Sequence, residues 1–145
     1  VDFVNSLIKK YREDLYEHTE QLTADQLKLL FRDINRWASS YCGRGAGRTV
    51  FHVNKSLVLK VPRHTGAIEQ NKTEHLRYQN QLDFPMAPCR LIRDSKSLLM
   101  QKVDPVSVAN TALPDWASKV DGGQVGRLNG KLLAFDYANR VPTYT

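Results

Sequence analysis

The stretch from Gly43 to Pro62 constrains this chain more than any other. Gly43-Arg44-Gly45-Ala46-Gly47-Arg48 leads into Thr49-Val50-Phe51-His52-Val53, the turn Asn54-Lys55-Ser56, and then Leu57-Val58-Leu59-Lys60-Val61-Pro62. The β-branched and apolar runs read as two strands joined by a polar turn, the second ended by Pro62. A glycine-rich turn ahead of a hairpin can lay its backbone over phosphates. Three glycines in five positions also make an ordinary flexible loop. No lysine followed by Ser or Thr comes after the run, so it is not a Walker A loop. Lys60 lies among apolar neighbours. A buried ammonium is costly without a partner, so Lys60 either sits on an exposed strand face or has an acid beside it.

Two helices are expected before this stretch. Phe3, Leu7, Ile8, Tyr11 and Leu15 recur at helical spacing, with Lys9, Lys10, Arg12, Glu13 and Asp14 on the other face. Thr23 and Gln26 form a candidate capping box for a second helix. Its apolar stripe runs through Leu27, Leu30, Phe31, Ile34, Trp37, Ala38 and Tyr41, and Gly43 falls just past its end.

After Pro62 a polar helix is expected over residues 67–82, anchored by Ile68, His75, Tyr78 and Leu82. Pro85 and Pro88 break the chain. Strands follow at 89–92 and 97–103, and Asp104-Pro105 opens a connector. A short helix over 114–120 would start on Pro114, where the missing N–H costs nothing. The Asn129-Gly130 pair between residues 124–127 and 131–135 is a hairpin signal. The class is α+β with a mainly antiparallel sheet, in a single domain. Its parts are an N-terminal helical segment (1–42), a sheet-and-helix unit (43–105) and an abbreviated C-terminal part (106–145).

With 145 residues, 41% hydrophobic and 25% charged, the chain can bury one core. No apolar run is long enough to span a bilayer and no secretory signal opens the sequence, so a cytoplasmic protein is expected. Cys42 and Cys89 read as reduced thiols, and the four histidines have no zinc spacing. A net charge of +6 permits phosphates, nucleic acid or an acidic protein face as partners. The basic residues are spread along the chain, which fits a solvated surface.

Glu69 and Glu74, on the helix after Lys60, are the acids that could pair with it, and Glu74 is preferred because it lies deeper in that helix. In order, residues 43–51, Val58-Leu59-Lys60-Val61-Pro62, the helix bearing Glu74, and Leu98-Leu99-Met100-Gln101-Lys102-Val103 resemble the N-terminal lobe of a protein kinase. So does the C-terminal part, where Gln124-Val125-Gly126 and residues 129–138, ending Phe135-Asp136-Tyr137-Ala138, resemble a catalytic loop running into an Asp-Phe-Gly segment. The resemblance covers residues 43–138. It implies that Gly43, Gly45, Gly47 and Arg48 lie over the phosphates, that Lys60 touches them while paired with Glu74, and that the strand at Gln101 meets adenine. It further implies that Asp136 and Gln124 hold magnesium, with ATP as the nucleotide.

The sequence also departs from that pattern. Arg48 stands where a third glycine is expected, Gln124 where an asparagine is expected, and Ala138 where the glycine after Asp136-Tyr137 is expected. The His-Arg-Asp triplet is absent. Counting back from Gln124 to the catalytic aspartate lands on Lys119, and Asp121 is a nearby substitute out of register. Few residues follow Asp136, so no activation loop or helical C-lobe is expected. Losing a general base commonly costs about 100- to 10,000-fold in rate.

The expectation is therefore a kinase-like, non-transferring protein that binds a macromolecular partner. Its overall look is similar to small kinase-like proteins of bacteriophages, which implies a host enzyme or a defence complex as partner. The alternatives are a minimal ATP-dependent kinase and a basic nucleic-acid binder. A homodimer covering the missing lobe is a further expectation. Arg44 and Arg48 read as phosphate contacts or as exposed loop residues, and Trp37 and Trp116 as packing residues or stacking platforms.

Overall fold

A computed structural model describes residues 2–15, 22–80, 84–107, 112–120 and 124–138. The chain runs α1 (Asp2–Leu15), α2 (Ala24–Trp37), β1 (Ser40–Arg44), β2 (Arg48–His52), β3 (Leu57–Pro62), α3 (Thr65–Asn80), β4 (Cys89–Leu91), β5 (Leu98–Gln101), β6 (Asp104–Pro105), a 3-10 turn (Asp115–Lys119), β7 (Val125–Leu128) and β8 (Lys131–Ala134). The first five strands form one antiparallel sheet in the order β1-β2-β3-β5-β4. The last three form a second sheet, β6-β7-β8. The expected α+β class with an antiparallel sheet is what the chain adopts.

Helices α1 and α2 cover one face of the five-stranded sheet. Leu7, Tyr11, Leu30 and Ile34 pack on Phe51, Leu59 and Val61. Full burial of Leu30 and Ile34 stabilises by about 2 kcal/mol each. Tyr11 seals the joint by donating its hydroxyl to the Pro62 carbonyl. Asp14 accepts from Thr49 Oγ1 at 2.7 Å and pairs with Arg44 at 3.2 Å, tying α1 to the first hairpin.

Thr23 caps α2 by accepting from the Gln26 N–H at 3.1 Å. The reciprocal half of the expected capping box is not made. The Gln26 amide instead donates to the Ser95 carbonyl at 2.6 Å and ties α2 to the β4–β5 turn. Arg32 reinforces that tie with a two-pronged grip on Asp94, 2.8 Å on each side.

Three boundaries differ from the sequence reading. Helix α2 stops at Trp37, because Ala38 is extended while its N–H still bonds the Ile34 carbonyl. Tyr41 belongs to β1, where it meets Phe51 edge-on at 6.2 Å. Its helical spacing from Trp37 is incidental. Gly43 is therefore a strand residue paired with Val50, beyond a bulge between Tyr41 and Gly43, and not a helix stop. The sheet starts at Ser40, ahead of the boundary placed at residue 43. Asp104-Pro105, expected as a connector, pairs with β7.

Helix α3 spans Thr65–Asn80, and its buried face is Ala67, Asn71 and Glu74. Two of these are polar, which explains its weak apolar pattern. Of the expected anchors, Ile68, His75 and Tyr78 are half-buried, and Leu82 lies outside the described residues.

The Asn129-Gly130 turn forms as expected, with φ of 52° and 81°, the left-handed geometry this dipeptide tolerates. Gly126 is required by packing, since a Cβ there would lie 2.8 Å from the Asp104 carbonyl oxygen. The hairpin is clamped to the chain before β4. Ala134 N donates to Pro85 O at 3.0 Å, and Ala87 N donates to Ala134 O at 2.8 Å. That clamp fixes where Phe135 and Asp136 emerge. Beneath it a second core gathers Met86, Leu98, Met100, Val125 and Tyr137. Trp116 stacks on Phe84 at 5.8 Å as a packing residue of this core.

Candidate functional site

Side chains alternate across a strand, so the face of the sheet opposite α1 and α2 carries Arg48, Val50, Val58 and Lys60. These four line a cleft of about 630 Å³. The end of β1 borders it with Gly43, and the β1–β2 turn with Gly45 and Gly47. Gln101 to Val103 border it beyond β5, and Gln124, Phe135 and Asp136 enter from the second sheet. Of the residues to which the kinase resemblance gives a site role, all but Glu74 and Asp121 line this one cleft. Glu74 lies directly behind it, and Asp121 is outside the described residues.

Lys60 and Glu74 are joined. Lys60 Nζ lies 3.0 Å from Glu74 Oε1 and donates to the Phe135 carbonyl at 2.7 Å. Glu69, the alternative acid, pairs with Lys72 at 3.2 Å on the exposed side of α3. Glu74 has no solvent exposure. Its Oε2 accepts from the backbone N–H groups of Tyr137 and Ala138 at 2.9 and 3.1 Å, which fastens the Asp136 segment to α3. Tyr137, fully buried, adds a hydroxyl bond to the Ala87 carbonyl at 2.8 Å.

Arg48 is the residue whose role the sequence did not reveal. Its side chain points into this network rather than into solvent, with 8% exposure. One terminal nitrogen donates to Glu74 Oε1 at 2.5 Å and Asn71 Oδ1 at 3.0 Å. The other reaches Glu74 Oε2 at 3.2 Å and Asp136 Oδ1 at 3.0 Å. Of the two readings of Arg48, a phosphate contact or an exposed loop residue, the exposed one is corrected by its burial, and these four donors already have protein acceptors. Asn71 completes the group by donating to the carbonyls of Lys60 and Lys96, at 3.1 and 2.8 Å.

The electrostatics follow from this packing. Burial alone would raise the Glu74 carboxyl, but Lys60 and then Arg48 outweigh it and hold the pKa down to about 2. Burial lowers the Lys60 pKa below the ordinary ammonium value, against the pull of Glu74 and Asp136. Burial also opposes the Arg48 charge, yet Glu74 raises its pKa overall. Two cations face two carboxylates, so with all four ionised the group is neutral. The Lys60 ammonium has three N–H bonds and, among the described residues, two protein acceptors, which leaves one N–H for a ligand oxygen.

The three glycines divide. A Cβ on Gly47 would lie 2.9 Å from His64 Nε2 and 3.1 Å from the Ala67 methyl, so this turn packs closely on the start of α3. Gly43 and Gly45 have open space beside them. The turn itself is clasped from behind. Arg63 is 2% exposed and donates to the carbonyls of Gly45 and Ala46 at 2.6 and 3.0 Å. Nothing in the sequence marks Arg63, since a basic residue after Pro62 reads as surface. Gln101 sits at the cleft edge, and its own N–H is donated to the Pro88 carbonyl at 2.8 Å.

Among the described residues there is no group of three or more His, Cys, Asp or Glu placed to hold a metal ion. Cys42 and Cys89 are both free thiols. No helix is long and apolar enough to cross a membrane. The chain matches no family model, no curated protein and no solved structure.

Proposed function

We propose that this protein is a kinase-like nucleotide-binding protein that does not transfer phosphate and acts by gripping a macromolecular partner. The observation that carries the reading is the Lys60–Glu74 pair at the wall of a cleft that Asp136 enters and a glycine-rich hairpin borders. A lysine on the third strand paired with a glutamate on the following helix is how kinases hold the lysine that meets nucleotide phosphates. In this chain the same three elements are in the same order. The apolar side chains of Val50, Val58 and Met100 suit a base, and Lys60 suits the phosphates.

Binding without transfer fits the acids available. Asp136 is the only carboxylate among the described residues lining the cleft, and it is engaged by Arg48. A general base must be within hydrogen-bond reach of the hydroxyl it deprotonates, and Asp136 Oδ1 is already taken by the Arg48 N–H at 3.0 Å.

Calorimetric titration of ATP into the native chain and into Lys60→Ala tests the reading. We expect binding to the native chain and at least about tenfold weaker binding to the variant, the loss of one charge-assisted hydrogen bond. No binding to the native chain contradicts it. Incubation with labelled ATP is expected to leave the protein unlabelled, and Lys60-dependent labelling would favour a minimal kinase instead. Partner capture repeated with and without ATP, and after nuclease treatment, separates a protein partner from nucleic acid.

A further inference from the structure

We propose that Arg48 takes the place of a divalent cation at Asp136, so that the cleft receives the phosphates of a nucleoside triphosphate without metal. This deepens the nucleotide reading above and rests on it for the identity of the ligand.

The kinase resemblance gives Asp136 to magnesium, but the residues around it do not fit that ion. A hard divalent cation bound through a carboxylate needs oxygen ligands and an uncrowded carboxylate. Here Asp136 Oδ1 already takes an N–H from Arg48 at 3.0 Å. Arg48 is not a surface side chain that can swing aside. It is buried, forked onto both oxygens of Glu74, and braced by Asn71 at 3.0 Å. Releasing Asp136 to a metal would leave a guanidinium against a doubly charged ion. No second carboxylate lines the cleft among the described residues to offset that repulsion.

Among the described residues Lys60 keeps one N–H for a polyphosphate oxygen, while Arg48, held by Glu74 and Asn71, fills the place at Asp136 that a cation would take. Asp136 also acquires a definite role. It holds one prong of the guanidinium and keeps the Arg48 charge partly neutralised. Removing the Asp136 charge should therefore strengthen metal-free ATP binding, the reverse of what a metal-holding aspartate would show.

The test has two arms. In the first, Mn2+ is titrated into the isotope-labelled native chain and into Arg48→Gln while amide signals are followed. The native chain is expected to show no selective broadening of Asp136 and Tyr137 at millimolar Mn2+, and Arg48→Gln is expected to show it. Selective broadening at Asp136 in the native chain overturns the proposal, whether or not ATP binds. Should Arg48→Gln fail to fold, Arg48→Lys serves, because a single ammonium cannot fork between Glu74 and Asp136.

In the second arm, ATP affinity is measured by calorimetry in EDTA and in excess Mg2+. The native chain is expected to bind within about threefold in the two buffers, and Asp136→Asn to bind at least about threefold more tightly in EDTA than the native chain does. Tenfold tighter native binding in Mg2+, or loss of ATP affinity in Asp136→Asn, overturns the proposal. If ATP binds in neither buffer, the nucleotide reading fails and takes the phosphate half of this proposal with it, while the exclusion of metal by Arg48 is still decided by the Mn2+ arm.

Discussion

Strand β3 buries its two faces in opposite ways. Leu59 and Val61 face α1 and α2 and are covered by Leu7, Tyr11, Leu30 and Ile34. One residue along, Lys60 faces the cleft and is covered by Glu74, Arg48 and Asn71. The apolar side draws its stability from area removed from water, and loses it in proportion to the atoms deleted. The charged side gains little net stability from being charged, because desolvation offsets most of the attraction. Apolar residues of similar volume would commonly hold such a site equally well. The difference teaches that the two faces serve different ends: one holds the fold together, and the other keeps charges poised beside a cleft.

Four measurements test that contrast. The largest effect is expected from Glu74→Ala, which leaves Lys60 and Arg48 buried without their shared anion and should cost about 4 kcal/mol in denaturant unfolding. A cost below about 1 kcal/mol would mean that the network is not closed as described. Leu59→Ala on the opposite face should cost about 3 kcal/mol and leave ATP affinity unchanged. A parallel loss of affinity would show the faces to be coupled.

The third measurement is a pH series. The Glu74 carboxyl is held down to about 2 from its ordinary 4.5. A depressed acid pKa stabilises the fold above the unfolded value and loses that contribution as pH falls toward the folded one. Between pH 6 and pH 3 the native chain should lose about 2 kcal/mol through this group. The gap between native and Glu74→Gln should narrow by that amount, and a gap independent of pH would contradict it. The smallest effect belongs to the helical side. Thr23→Ala removes the cap of α2 and should lower stability by about 1 kcal/mol without altering the cleft.

Much of the apolar side was legible in the sequence, because the period of 3.6 in α1 and α2 is written in the spacing of Leu7, Tyr11, Leu30 and Ile34, and β3 in a short apolar run ended by Pro62. The turn at Asn129-Gly130 was legible for the same kind of local reason, a dipeptide that tolerates positive φ. Strand β1 was not, since Tyr41 continues the helical spacing of Trp37 and only the partner strand decides its conformation. In the cleft, Lys60 and Glu74 could be paired because each is a charged residue in a setting that penalises an isolated charge. Arg48 and Arg63 could not be placed. A long basic side chain beside glycines has the same sequence appearance whether it reaches outward to solvent or inward to Glu74, and its acceptors lie on elements far along the chain.

One cleft, walled by Lys60 and entered by Asp136, is the place proposed for a nucleotide. Mapping amide chemical shifts as ATP is added tests this most directly. Shifts are expected to concentrate at Gly45, Lys60, Gln101 and Asp136, with α1 and α2 unmoved. Shifts confined to the α1–α2 face, or none at all at saturating ATP, would contradict it.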